Sequence, residues 1–482
     1  MKQTTKSLVT VLALVVGAGA IGTAALWAGR AEEKKAAQKE RTEKIFDIDK
    51  AKVRSLRVEK AGKLVAALVR KDATAGWDLI EPVKAEGDDT TINALVDALA
   101  ALKQKKDLGD EKDGKPYGLE TPAAVVSVKT DDGKESRLEI GADNPFDNTV
   151  YVRKSGDATI RMIDSSAKAP FAPELFGLRD KSVAHLDPTA EVRRIEMTGT
   201  KVPYTLEKDG AAWKLASPAG AADSATADRI ASAVKGLKAT AIAAETAPVP
   251  ATFGLAPPKL TVKLGVSQGG KDLLTRTLRF GEVRAALTAK AYAKRDDSPT
   301  VFEVDGQILK DLDKDLFDLQ DKQLTHASRE DVRKLVLETP GAAKIEIART
   351  KPALPDGGTA EEEFALLAPQ KGPAKKWKIS SALYSITGLR AARLIAKDLS
   401  KQGLDKPRTV TLLGDGDKVL ARLRVGAETP EHRRYVLADG MDRVAEVEKG
   451  AVDELPWKLD EVLDTPAPPA ASLPDGGVAA SH

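Results

Sequence analysis

Cysteine is absent from all 482 residues, which excludes thiolate zinc sites, iron–sulfur clusters, disulfides and a lipid-modified N-terminal cysteine. Aromatic residues make up only 4%, too few for a base-stacking surface. Charge of one sign is lacking too: 75 Lys+Arg against 72 Asp+Glu leave +3, so no global field draws nucleic acid. Histidine occurs four times, and no two lie at ligand spacing on an expected helix or strand. There is no P-loop and no G-x-G-x-x-G. What is present is 42% apolar residues, enough for globular cores, on a chain long enough for about three domains.

One long uncharged run exists. Ser7 to Gly29, "SLVTVLALVVGAGAIGTAALWAG", carries no charge and would measure roughly 34 Å as a helix, enough to cross a bilayer. Lys2 and Lys6 precede it, Trp27 sits at its far edge, and "RAEEKKAAQKERTEK" follows. Two readings are open. Leu8–Val16 can be a signal core with Ala18-Gly19-Ala20 as its cleavage site; apolar character continuing through Trp27 favours an uncleaved anchor. Six Lys/Arg follow the span and two precede it, which by bare count would hold the large part inside. Long domains translocate largely regardless of flanking charge, so the expectation is a single-pass inner-membrane helix with the bulk of the chain periplasmic.

The rest of the chain says one thing three times. "YGLETPAAVVSVKTDDG" begins at Tyr117, "FGLAPPKLTVKLGVSQGG" at Phe253 and "QGLDKPRTVTLLGDGD" at Gln402. A tryptophan phrase precedes each: "WDLIEP" at Trp77, "WKLASP" at Trp213, "WKISSA" at Trp377. An apolar-Gly pair follows each: Ile140-Gly141, Phe280-Gly281, Val425-Gly426. Between the first two copies the landmarks are 136, 136, 140 and 141 positions apart at Trp77, Gly118, Gly141 and Asp180. The third tryptophan is 164 positions beyond the second, read as an insertion around "KPALPDGGTAEEE". A period this long makes each copy a domain and not a solenoid turn.

Within a copy, alternating runs such as "VRSLRVEK" and "LVAALVRK" read as a meander. A helix follows on Ile92, Leu95, Val96, Leu99 and Leu102 behind N-cap candidates Asp88–Thr91. Copy two repeats it with Ala227, Ile230, Ala231, Val234 and Leu237 behind Asp223-Ser224. Two hairpins and a short helix close the unit, with glycines 133, 269/270 and 414/416 at turns needing positive φ. The expected fold is α+β: three tandem copies of one mixed sheet-plus-helix domain behind an N-terminal transmembrane helix. The boundaries are 1–30 for the signal-anchor and 31–44 for a charged juxtamembrane segment. The repeats span 45–183, 184–325 and 326–465, and 466–482 is a flexible tail. The tryptophan is expected to plug each core, and Gly-Leu-x-x-Pro to be the turn launching the next strand.

These phrases, with the "IG…YVR" strand pair, resemble a bacterial family, domain of unknown function 4340. The resemblance covers roughly 45–465 and is weakest in the third copy, where Gln402 replaces the aromatic and no proline follows "WKIS". It implies a membrane-anchored protein associated with auxiliary components of ABC-type gliding-motility transporters, and it carries over no functional residue.

The search for chemistry returns little. Gly265-Val266-Ser267-Gln268-Gly269 matches the nucleophile-elbow pattern, but the following run reads as a return strand, not the helix the elbow needs. His185 and His326, 141 positions apart, fall at copy junctions and read as packing or linker residues. His432 stands beside Arg433 and Arg434, and His482 is the last residue. "DLDKDLFDLQDK" (311–322) imitates a calcium loop, but Leu316 stands where glycine belongs and Lys322 where the bidentate Glu belongs. Ile308, Leu312, Leu316 and Leu319 read instead as a helical stripe. No catalytic, cofactor-binding or metal-ligating residue is assigned, and no cofactor. The expectation is a non-enzymatic envelope scaffold or accessory subunit, partnered by the inner membrane through 7–29 and by a protein such as an ABC-type transporter component, with no nucleic acid. An envelope hydrolase or glycan-acting enzyme, and a ligand-capture module, are the alternatives. Arg433 and Arg434, which break the repeat pattern, are the candidate docking anchors.

Overall fold

The computed structural model describes residues 43–246, 249–267, 269, 274–281, 290–350 and 362–464. The apolar run 7–29, nearly all of the charged segment 31–44, most of the insertion expected at 351–363, and the tail lie outside the described residues. No described helix is long and apolar enough to cross a membrane. The chain gathers into two compact units. One comprises the chain up to Pro188 with Val234–Thr261 and Arg276–Leu309; the other comprises Thr189–Ala233, Val262–Thr275 and the chain from Lys310 onward.

The first sheet has nine strands: β1 (Val53–Lys60), β2 (Lys63–Val69), β3 (Asp78–Glu81), β4 (Ala85–Glu86), β5 (Lys106–Asp110), β6 (Ala124–Thr130), β7 (Glu135–Asp143), β8 (Thr149–Lys154) and β9 (Thr159–Asp164). Their order across the sheet is β4-β3-β2-β1-β6-β7-β8-β9-β5. Two four-strand meanders therefore meet at the β1–β6 seam, and β5 closes the far edge after a helix. The second sheet, from Glu191–Thr198 to Val301–Asp305, and the third, from Lys334–Glu338 to Arg443–Glu448, repeat the same order. Every described pairing within the first sheet is antiparallel.

This corrects the expected balance of α and β. Each copy is mostly β, with one α-helix of more than two turns among the described residues. The two strands missed were short or polar: β4 is two residues long, and β5 (Lys106–Asp110) buries none of its residues, so neither shows alternation. The stripe expected at 308–319 is also broken. It forms two short helices, Gln307–Leu312 and Leu316–Leu319, in which Ile308, Leu312 and Leu319 are buried and Leu316 only partly so.

The repeated glycine phrases have one cause. Gly118, Gly254 and Gly403 all adopt positive φ, +67°, +65° and +65°, where a side chain is strained. The turn presses the carbonyl oxygen of the preceding residue onto the second repeated glycine. A Cβ on Gly141 would lie 2.1 Å from the Tyr117 oxygen, on Gly281 1.8 Å from that of Phe253, and on Gly426 2.2 Å from that of Gln402. The contact is made by the backbone, which is why Gln402 can replace an aromatic.

The three helices match residue for residue. They are α1 (Asp89–Ala101), α2 (Ser224–Lys235) and α3 (Lys376–Thr387). The buried stripe is Ile92, Leu95, Val96, Leu99 in α1, Ala227, Ile230, Ala231, Val234 in α2, and Ile379, Ala382, Leu383, Ile386 in α3.

That alignment overturns the reading of Trp377. Trp77 and Trp213 are buried beneath their helices, and their indole N–H groups donate to Asn93 Oδ1 at 3.0 Å and Asp228 Oδ1 at 2.7 Å. Trp377 lies inside α3 itself and is 70% exposed. The true counterpart is Phe364, 6% exposed in the third core with Leu366 and Ile379. Its phrase is "FALLAP", and its proline follows a cis bond at Ala368-Pro369, as at Glu81-Pro82 and Ser217-Pro218. Phenylalanine has no N–H to satisfy, so α3 needs no acceptor and has Ser380 at that position.

Candidate functional site

The first unit contains a cleft of about 520 Å³ whose walls include Asp78, Glu86, Asp180, Ser182, Arg295 and Phe302. Three of its charges come from separate elements. Glu86 ends the edge strand β4, Asp180 follows the short helix Leu175–Leu178, and Arg295 ends the strand Lys290–Arg295. His185 stands five residues after Asp180 with φ +43°, an uncommon left-handed backbone that histidine tolerates better than most residues.

His185 Nδ1 is shared between two carboxylates, 2.7 Å from Asp180 Oδ2 and 3.0 Å from Glu86 Oε2. The hydrogen bond to Asp180, then that to Glu86, raises the His185 pKa from 6.5 to about 9. The imidazole is therefore protonated at neutral pH and donates to both oxygens. The hydrogen bond from His185 holds Glu86 below the usual carboxylate range. Burial pushes Asp180 up, but the His185 and backbone Ser182 hydrogen bonds outweigh it and the net shift is downward.

Arg295, its side chain 9% exposed, comes within 3.8 Å of Glu86 and pairs with Asp297. Beside it Arg179, 5% exposed, grips Glu245 bidentately, with Nη2 to Oε2 at 3.0 Å. Arg295 thus faces Glu86, whereas Arg179 lines the same cleft but is bound to Glu245. Protonated His185 cannot act as a general base, and the carboxylates are too ionised to serve as acids. With His185 deprotonated, the three ligand atoms lie within 4.8 Å of one another and could hold a divalent cation. In the arrangement described, a proton and Arg295 already occupy that electrostatic role.

The cluster is not repeated. At the second junction Asp321 and His326 recur, Nε2 to Oδ2 at 3.3 Å, but the position of Glu86 is taken by Ala221. The signs of equivalence are the backbone bonds of Asp180 to Glu86 and of Asp321 to Ala221. His326 is 70% exposed. There Arg390 pairs with Asp223 instead.

The other residues singled out from sequence are dispersed. Ser267 ends the strand Leu260–Ser267, whose neighbour in the sheet is the strand Leu274–Phe280; a nucleophile elbow needs a helix there. Arg193, Glu207 and Lys208 share a cleft with Ser267, and no histidine does. His432 is 85% exposed against Glu428 at 2.8 Å. Arg433 and Arg434 are part-exposed and paired within their own domain. Arg434 is held bidentately by Asp453, Nε to Oδ1 at 2.9 Å and Nη2 to Oδ2 at 2.8 Å, and Arg433 lies 3.3 Å from Glu448.

Sequence reasoning missed Glu86 and Arg295, because Glu86 meets both His185 and Arg295 from a segment far from either in the chain. It also missed Trp377 and Tyr384, 74% exposed, although their spacing of seven residues within one helix was visible.

The family profile of the domain of unknown function DUF4340 matches residues 77–252, 213–407 and 365–467. The chain belongs to that family. Two matches begin at Trp77 and Trp213, and the third begins one residue past Phe364, in agreement with the repeat unit seen in the fold. No curated protein matches the chain, and no solved structure does.

Proposed function

We propose that the chain is a non-enzymatic, membrane-tethered scaffold or accessory subunit of a transport or motility-type assembly in the bacterial envelope. Residues 7–29 would anchor it in the inner membrane, and the bulk would be periplasmic. One observation supports the non-enzymatic part: the cation–carboxylate cluster at this cleft is paired within itself or with neighbouring acids. His185 is committed to Asp180 and Glu86, Arg295 to Asp297 and Glu86, and Arg179 to Glu245. A reacting centre leaves a nucleophile or base aimed at open space; this cleft spends its charges on holding itself together. Tandem copying agrees, since it multiplies surface, not a single site.

A second reading, ligand capture, is favoured by the cleft's volume and by the clustering of His185, Asp180 and Glu86. The anchor separates the two in part. Protease added to intact spheroplasts should digest the chain beyond residue 30. Protection until lysis contradicts the tethered periplasmic reading. A mature N-terminus at Ile21 supports a released, ligand-carrying form instead.

A further inference from the structure

The three equivalent helices differ on their outward face. In α1 the capping residue is Asp88, which accepts from Thr91 N at 2.9 Å, and in α2 it is Asp223, which accepts from Thr226 N at 2.8 Å. In α3 the same position is Lys375, with no side-chain cap. Lys376 stands where α1 has Asp89 and α2 has Ser224; Lys378 replaces Thr91 and Thr226. Trp377 replaces Thr90 and Ala225, and Tyr384 replaces Asp97 and Ser232. From Pro369 to Gly388 there are four lysines, Lys371, Lys375, Lys376 and Lys378, and no acidic residue.

Positive charge at a helix N-terminus opposes the helix dipole, and the missing cap leaves an amide donor without its side-chain partner. Lys375 offsets part of this by donating from Nζ to the Asp460 carbonyl at 2.8 Å; the exposed Trp377 and Tyr384 beside it are the choice that stability does not explain. The exposed residues Trp377, Ser381, Tyr384 and Gly388 form one stripe, opposite the buried stripe that holds α3 to its core. Lys378 Nζ lies 5.7 Å from the Trp377 ring. Tryptophan and tyrosine with flanking lysines, and no acid, is the composition that rests at the headgroup level of a bilayer.

We infer that α3 lies against an anionic bilayer surface, with Trp377 and Tyr384 among the headgroups and Lys376 and Lys378 beside them facing lipid phosphates, while Lys375 stays bound to the Asp460 carbonyl. The occupant is lipid and not an acidic protein, for two reasons. The charge-free run 7–29 would supply a bilayer at the start of the same chain, and the stripe is an exposed aromatic pair flanked by lysines. The inference deepens the tethered-scaffold reading and rests on it for the presence of a membrane. It would hold the third repeat down on the surface by contacts the first two lack.

The test reads Trp377 alone. Tryptophan emission of the full chain minus that of the Trp377→Phe variant isolates this one ring among five. Vesicles of phosphatidylcholine, with or without phosphatidylglycerol, carry brominated acyl chains that quench only rings at the bilayer. Quenching of the Trp377 difference signal is expected with phosphatidylglycerol, with several-fold less in its absence, at high salt, or in a Lys376→Glu/Lys378→Glu variant. No quenching with phosphatidylglycerol overturns the inference, as does equal quenching in pure phosphatidylcholine. Shielding of Trp377 from aqueous acrylamide by a co-purifying protein, without quenching by lipid, also overturns it. Retention of the chain on vesicles after an alkaline wash reads the 7–29 anchor separately, so the two failures are distinguishable.

Discussion

His185 is the residue whose setting departs furthest from its ordinary chemistry. Its Nδ1–H is divided between Asp180 and Glu86, Arg295 faces Glu86, and Lys238 acts on Asp180. The folded pKa of about 9 lies above the usual 6.5, so folding favours the protonated form. The stabilisation is fully present below about pH 6.5 and is lost as pH rises through about 9. Because the side chain is 42% exposed, solvent screening reduces the gain below what the shift alone implies. The urea midpoint should therefore fall modestly between about pH 6.5 and about pH 9.5 in the wild type. In His185→Gln that interval should be flatter; an equally steep fall in both forms would contradict the ion cluster. The glycines at this scale were legible as turns. The press of a carbonyl on Gly141 or Gly281 was not, because it joins residues two strands apart.

Among elements, the third helix carries the sharpest expectation. Lys375→Asp restores the cap that α1 and α2 possess and reverses an unfavourable charge at the helix start. The gain should be about 1 kcal/mol, measured by urea unfolding, even though the Lys375 Nζ bond to the Asp460 carbonyl at 2.8 Å is lost. Trp377→Ser should leave stability within about 0.5 kcal/mol, whereas Trp77→Ala should cost about 3 to 5 kcal/mol. A large loss for Trp377→Ser would mean that the ring is structural after all.

The helical stripes of α1 and α2 were legible because five apolar positions recur at helical spacing behind an aspartate. The third copy misled because "WKIS" imitates "WKLAS". What decides between the two candidate phrases is the proline: "FALLAP" keeps it and "WKISSA" does not. Phe364 lacks the indole, so the eye falls on the wrong aromatic. The edge strands could not be read, since two residues, or five with a single apolar side chain at Leu108, carry no period. The ion cluster of the cleft could not be read either, because Glu86, Asp180 and Arg295 reach it from separate elements.

At the scale of the molecule, one nine-strand design is used three times, and the copies differ in what they expose. The first junction closes a cleft with mutually neutralising charges; the third copy turns an aromatic, lysine-flanked helix face outward. The proposed scaffold would use both to hold its position beside a membrane. The most direct test is affinity co-isolation of the full chain from detergent-solubilised membranes of its own host. It is quantified by mass spectrometry beside a form in which residues 1–30 are replaced by a cleavable export signal. The account predicts an integral-membrane transporter component recovered in near-stoichiometric yield with the anchored chain and largely lost with the released one. Recovery of the anchored chain without any membrane partner, or of the same partner at undiminished yield with the released form, would contradict it.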